Sequence, residues 1–141
     1  KHLNESSSST IRPINDNSKY FKKKFFFLNK FNQENFYQEL EVNQIMLDDF
    51  VKKNLINHID FLKIDTEGYE FEVLKGSKNI INNVSFVLFE HHYDDMIVKD
   101  YFFSDINDFL SKNNFKKIYK SKMPFRKTFE YIYVNKNYKK N

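Results

Sequence analysis

Side chains able to move protons or bind a ligand fall in two short stretches, Asp65-Thr66-Glu67 and Glu90-His91-His92. A carboxylate can take a hydroxyl proton or accept a ligand's hydrogen bonds. Imidazole titrates near neutrality, so both stretches hold groups suited to general acid–base work. Asp65 directly follows the apolar run Phe61-Leu62-Lys63-Ile64. A carboxylate there is unfavourable unless bonded, and the plain alternative is an Asp that stabilises a turn. Glu67 stands where a helix starts, favoured by the helix dipole; its plain alternative is an N-terminal cap residue. Histidines and carboxylates also ligate metals, but adjacent strand residues point to opposite faces. His91 and His92 therefore cannot easily share one ion, and no metal site is expected.

The elements that position these groups can be followed along the chain. Gly68 and Gly76 are its only glycines. Average usage is about 7%, so a sequence this sparing should keep glycine where a side chain cannot go, and both are expected at structural turns. Ile59–Ile64 and Val84–Phe89 are near-continuous apolar runs, as parallel strands covered on both faces require. Between them Glu67–Lys75 is predicted helical, Gly76 ends that helix, and Ser77 caps a further turn through Ile81. Leu47–Leu55 has Asp48 and Asp49 in a helical first turn, and Asp100–Asn113 has the spacing of an amphipathic helix. Residues 25–28, 39–46, 115–119 and 128–134 are predicted strands, the last two separated by a turn near Met123-Pro124. The order from residue 59 is strand, helix, strand, helix, strand, strand. This predicts an α/β fold, a mostly parallel sheet with an antiparallel edge strand. Ligands in such sheets bind beyond the carboxyl ends of the strands, where both polar stretches lie.

At 141 residues the chain holds one domain at most. Residues 1–20 form a Ser-rich loop segment, 21–134 the domain, and 135–141 a basic tail. Cysteine is absent, which removes disulfides and thiolate metal sites and is compatible with a cytoplasmic protein. No apolar run reaches the roughly 20 residues of a membrane span, and the N-terminus has no apolar core for a signal peptide. It also lacks an initiator Met, so a longer parent is expected. The net charge of +4 divides into −5 over residues 1–111 and +9 over 112–141. A basic end of this kind can attract nucleic acid, but no binding motif accompanies it; a solvated face and frayed terminus explain it, and no nucleic acid partner is expected.

Leu47-Asp48-Asp49-Phe50, then IDFLKIDTEGYEFEVLKG over residues 59–76, then VSFVLFE ending at Glu90, resemble the FkbM family of S-adenosylmethionine-dependent methyltransferases. The similarity is carried by Asp60, Lys63, Ile64, Asp65, Glu67, Gly68, Glu70, Leu74, Lys75, Gly76 and Glu90. It covers about residues 4–118, including the Ser-rich segment; Thr66 and Tyr69 depart from the usual Val and Ala. The resemblance implies a Rossmann-like class I methyltransferase fold of sheet order 3-2-1-4-5-7-6, of which this chain holds the C-terminal half, 4-5-7-6. The glycine-rich cofactor loop and the acidic residue that holds the ribose are not in these residues, so an N-terminal half of the same domain is the implied partner. On that map Asp65, Thr66 and Glu67 meet the cofactor, while Glu90, His91 and His92 face a small-molecule or saccharide acceptor. Asp65 and, less directly, His91 are the implied catalytic residues. A non-catalytic binding or scaffold domain that keeps the half-fold is the alternative.

Overall fold

The computed structural model describes residues 2–3, 9–28, 37–124 and 126–138. A two-residue ladder joins β1 (His2–Leu3) to β2 (Tyr37–Gln38). The main sheet is built from β3 (Ile59–Ile64), β4 (Val84–His92), β5 (Phe115–Lys122) and β6 (Thr128–Asn135), in the order β3-β4-β6-β5. β3 runs parallel to β4, whereas β6 is antiparallel to both its neighbours. Three strands thus share one direction. The reversed strand is not at the edge as expected, because the β5–β6 hairpin lays its second strand against β4. The order itself is the one implied for strands 4-5-7-6.

Helices α3 (Glu70–Lys75) and α4 (Phe103–Lys112) cover one face of the sheet. Leu74, Ile106 and Leu110 pack there against Ile64, Val87, Phe89, Tyr131 and Tyr133 to form the main core. The other face presents Phe61, Lys63, Leu88, Glu90, Ile132 and Val134, none of them fully buried. Parity along each strand fixes this division, since alternate residues point to opposite sides.

Two predicted strands differ. Residues 25–28 belong to helix α1 (Lys19–Leu28). Its start is set by Ser18, whose hydroxyl accepts the Tyr20 and Phe21 amides at 3.1 and 3.3 Å. Phe21 then packs on Met96 and Ile97 in a second, smaller core. Residues 39–46 pair with no strand among the described residues, and Leu40, Val42 and Ile45 are exposed. Alternation marks a potential face, but a strand forms only beside a partner. Helix α2 (Leu47–Lys53) follows as expected, docked by Asp48, whose carboxylate accepts the Asn79 and Ile80 amides at 3.0 Å. At the other end β6 runs through Asn135, which is buried and bonded to the Asn82 and Val84 carbonyls, so the tail assigned to 135–141 begins inside the sheet. Residues 139–141 lie outside the described ones. Among the described residues no helix is long and apolar enough to cross a membrane.

Candidate functional site

Ile64 and Phe89 lie side by side in register and point into the core. The residues that follow them, Asp65 and Glu90, therefore emerge together on the opposite face, at the carboxyl ends of two adjacent parallel strands. Lys63, two residues back on the same face, places Nζ 2.9 Å from Asp65 Oδ2. Burial, and then the negative charge of Asp65, pushes Glu90 above the usual carboxylate range. A carboxylate so shifted binds a proton more tightly than a free one, which suits Glu90 to accept a hydrogen bond from a ligand's hydroxyl.

The turn after Asp65 is backbone-driven. Glu67 and Gly68 both take left-handed conformations, φ 48° and 96°. A Cβ on Gly68 would lie 2.5 Å from Ile97 Cγ2, so this glycine is required. Gly76 is different. It ends α3 at φ −78°, and a Cβ there would meet its neighbours at an ordinary 3.5 Å. The expectation that both glycines exclude a side chain holds for Gly68 alone.

Helix α3 starts at Glu70, three residues later than predicted, because residues 66–69 form the turn. The buried Glu70 carboxylate organises that turn, accepting the Gly68 amide at 2.9 Å, the Thr66 hydroxyl at 3.3 Å and the Tyr101 hydroxyl. A segment from far upstream straps it down. The Thr10 hydroxyl donates to the Glu67 carbonyl at 2.7 Å, and Arg12 Nε to the Gly68 carbonyl at 3.3 Å. Arg12 also pairs with Glu72 and Asp100 and lies over the Tyr69 ring. Thr10 ends the Ser-rich segment, but no sequence pattern marks its contact or that of Arg12, since each acts on a residue 57 or 56 positions away.

The two histidines part company. His91 is buried on the core face, its ring against Tyr93, Tyr101 and Phe103 at 4.7, 5.9 and 5.9 Å. Burial, with the charges of Lys99 and His92, lowers its pKa to about 4. It therefore does not face the cleft, contrary to the expectation for a base or acceptor contact: it shares the inward parity of Val87 and Phe89. His92 lies on the cleft face but is also buried. Its Nε2 is 3.0 Å from Glu67 Oε2, and its Nδ1 is 3.1 Å from Thr128 Oγ1 and 3.7 Å from Asp94 Oδ2. Burial opposes the charge, but the hydrogen bonds and charges of Asp94 and Glu67 outweigh it and lift the pKa to about 9. Glu67 and His92, expected at cofactor and substrate respectively, are thus committed to each other and tie the ends of β3 and β4 together. Among the described residues no three His, Asp or Glu are placed to hold a metal ion.

Beside the turn, a cavity of about 640 Å³ opens between α3 and residues 43–50, with Ile45, Met46, Phe50, Thr66, Tyr69 and Val73 in its walls. Ligand pockets of about 300–1,000 Å³ are mostly apolar with a few polar groups, so size and lining suit part of a nucleoside-like cofactor. The site as a whole offers two clustered carboxylates, one electrostatic clamp and one apolar wall.

The family model described as the methyltransferase FkbM domain matches residues 2–117. The chain is 36% identical over 53 residues to the hexuronic acid methyltransferase AglP of Haloferax volcanii, a match covering 38% of this chain and 22% of that relative. No solved structure matches. The chain belongs to the FkbM methyltransferase-domain family.

Proposed function

We propose that these residues form the C-terminal half of a Rossmann-like class I methyltransferase domain that transfers a methyl group from S-adenosylmethionine to a hydroxyl of a sugar or small metabolite. One observation carries this reading: Asp65 and Glu90 share a sheet face at the carboxyl ends of adjacent parallel strands, where open α/β sheets bind ligands. The strand order supports the class I assignment, and a relative named for hexuronic acid supports a saccharide acceptor. When bound, the cofactor supplies an electrophilic methyl group. Thr66, Tyr69 and the apolar walls of the adjoining cavity would hold part of it. The remaining cradle, including a glycine-rich loop, would come from an N-terminal half of the domain, since these residues contain two glycines in all.

Asp65 would accept the hydrogen bond of the acceptor hydroxyl and take its proton as the oxygen–methyl bond forms and the sulfur–methyl bond breaks, the cofactor leaving as its neutral thioether. Glu90 orients that hydroxyl from the neighbouring strand. Glu67 and His92 touch neither partner and hold the turn that aims Asp65.

The test is transfer of labelled methyl from S-adenosylmethionine to a saccharide panel by the full-length protein and its Asp65→Asn variant. Loss of a general base lowers turnover about 10²- to 10⁴-fold. Undiminished turnover in the variant would remove Asp65 from the chemistry. Micromolar cofactor binding to these 141 residues alone, measured calorimetrically, would overturn the half-domain reading.

A further inference from the structure

The strap that crosses the turn after Asp65 also forms part of the adjoining cavity. Ile11, between the anchoring residues Thr10 and Arg12, stands in the cavity wall with Tyr69 and Glu72. On one side of it the Thr10 hydroxyl holds the Glu67 carbonyl. On the other, Arg12 grips the wall itself. Its Nη2 lies 2.8 Å from Glu72 Oε2, and its guanidinium carbon lies 5.2 Å from the centre of the Tyr69 ring. Nη2 also reaches Asp100 Oδ1 at 2.7 Å, and the next residue, Pro13, accepts the Val98 amide at 3.0 Å. The strap is fixed on both sides of Ile11.

Anchoring of this kind accounts for the order of the turn. It does not account for the apolar side chains around the cavity. Ile45, Met46 and Phe50 line it with Ile11, and all four are between 45% and 67% exposed. Single exposed apolar residues are ordinary, but four gathered about one concavity mark the seat of a ligand. The charges narrow its chemistry. Glu72 is the one carboxylate among the described wall residues, and its two oxygens are taken by Arg12 at 2.8 Å and Lys75 at 2.7 Å. An amino-acid end, with its ammonium and carboxylate, would be desolvated against that wall without a charged partner to spare. A nucleoside suits it better. Tyr69 offers an aromatic face, the aliphatic side chains an apolar one, and Asn43 and Gln44 carry amides that can meet the edge of a base.

We propose that this cavity takes the nucleoside portion of S-adenosylmethionine, with Ile11 as a binding residue and Arg12 as the positioning residue that holds Ile11 and the Tyr69 ring in place. This inference rests on the methyltransferase reading given above. Thr66, also in the wall, directly follows Asp65, so the seat adjoins the carboxylate assigned to the proton. Arg12 acts only through its neighbours, and its contribution is to the affinity for the nucleoside.

Calorimetric titration of the full-length protein with S-adenosylhomocysteine, adenosine and homocysteine reads this site without methyl transfer. Adenosine should bind at least about tenfold more tightly than homocysteine. Ile11→Asn, at an exposed position that the fold does not depend on, should weaken adenosine and S-adenosylhomocysteine about tenfold, the effect of losing roughly half an isoleucine's burial. Arg12→Gln should weaken them by about as much. Arg12→Lys keeps a cation over Tyr69 and a partner for Glu72, and should stay within about threefold of the parent. Thermal melting checks that the variants fold, and Ile11→Asn decides the matter if Arg12→Gln does not. Unchanged binding in Ile11→Asn, equal affinity of the two Arg12 variants, or homocysteine binding as tight as adenosine would each overturn the proposal; methyl transfer by the parent protein would then leave the methyltransferase reading standing. The expected pattern in a protein that transfers no methyl group to any acceptor would overturn that reading and leave the nucleoside seat in place.

Discussion

Alternation along β4 gives His91 and His92, neighbours in the chain, opposite electrostatic settings. His91 is neutral in the fold, with a pKa lowered from 6.5 to about 4. Its contribution to stability is present above pH 6.5 and is lost as pH falls toward 4. His92 is charged, with a pKa raised from 6.5 to about 9. Its contribution is complete below pH 6.5 and is lost as pH rises through 9. These two groups together place a stability maximum near pH 6.5. His92→Gln leaves Glu67 and Asp94 without the cation between them and should destabilise the fold by about 3–5 kcal/mol, the range for breaking a buried ion pair. It should also remove the alkaline decline while leaving the acid limb. Urea melts from pH 5 to 10 check this, and an alkaline limb persisting in the variant would show that His92 is not its source. At this scale the chemistry-bearing residues were legible, but their directions were only partly so. The run VSFVLF is apolar at every position but Ser85, which hides the parity that separates the core-facing Phe89 and His91 from Glu90 and His92.

Among the elements, the buried parallel pair, the helices after each of its strands and the closing hairpin were readable because periodicity and punctuation agreed. The N-terminal third was not, because its structure depends on partners distant in sequence. Helix α1 illustrates this. The apolar run at 25–28 suggests a strand, but Ser18 caps a helix that begins at Lys19, six residues before that run, and its hydroxyl also donates to Asp95 Oδ1 at 2.6 Å. Ser18→Ala removes the cap and should cost about 1 kcal/mol. Its effect should fall on α1 and the small core of Phe21, Met96 and Ile97, seen as a loss of helical ellipticity at unchanged sheet signal. Unchanged helicity and stability would mean that the packing of Phe21 alone holds α1 in place.

For the whole molecule, the sheet has one covered face and one unfinished side. Among the described residues β3 pairs only with β4, and Phe61 on its outer face is 52% exposed. An apolar, unpaired edge invites association with another. Phe61→Lys should keep the fold and reduce self-association of these residues, measured by light scattering after size exclusion. Equal association in the variant would point to another surface. The strap from the N-terminal segment has a kinetic meaning as well. Thr10 and Arg12 reach the turn at Glu67 and Gly68 across 57 and 56 positions of sequence, and Arg12 reaches Asp100 across 88. Contacts that close such long loops form late in folding, after the hairpin and the β3–β4 pair have collapsed. The contacts that strap the loop presenting Asp65 therefore close late, so on warming the chain should lose this strap before it loses its strands.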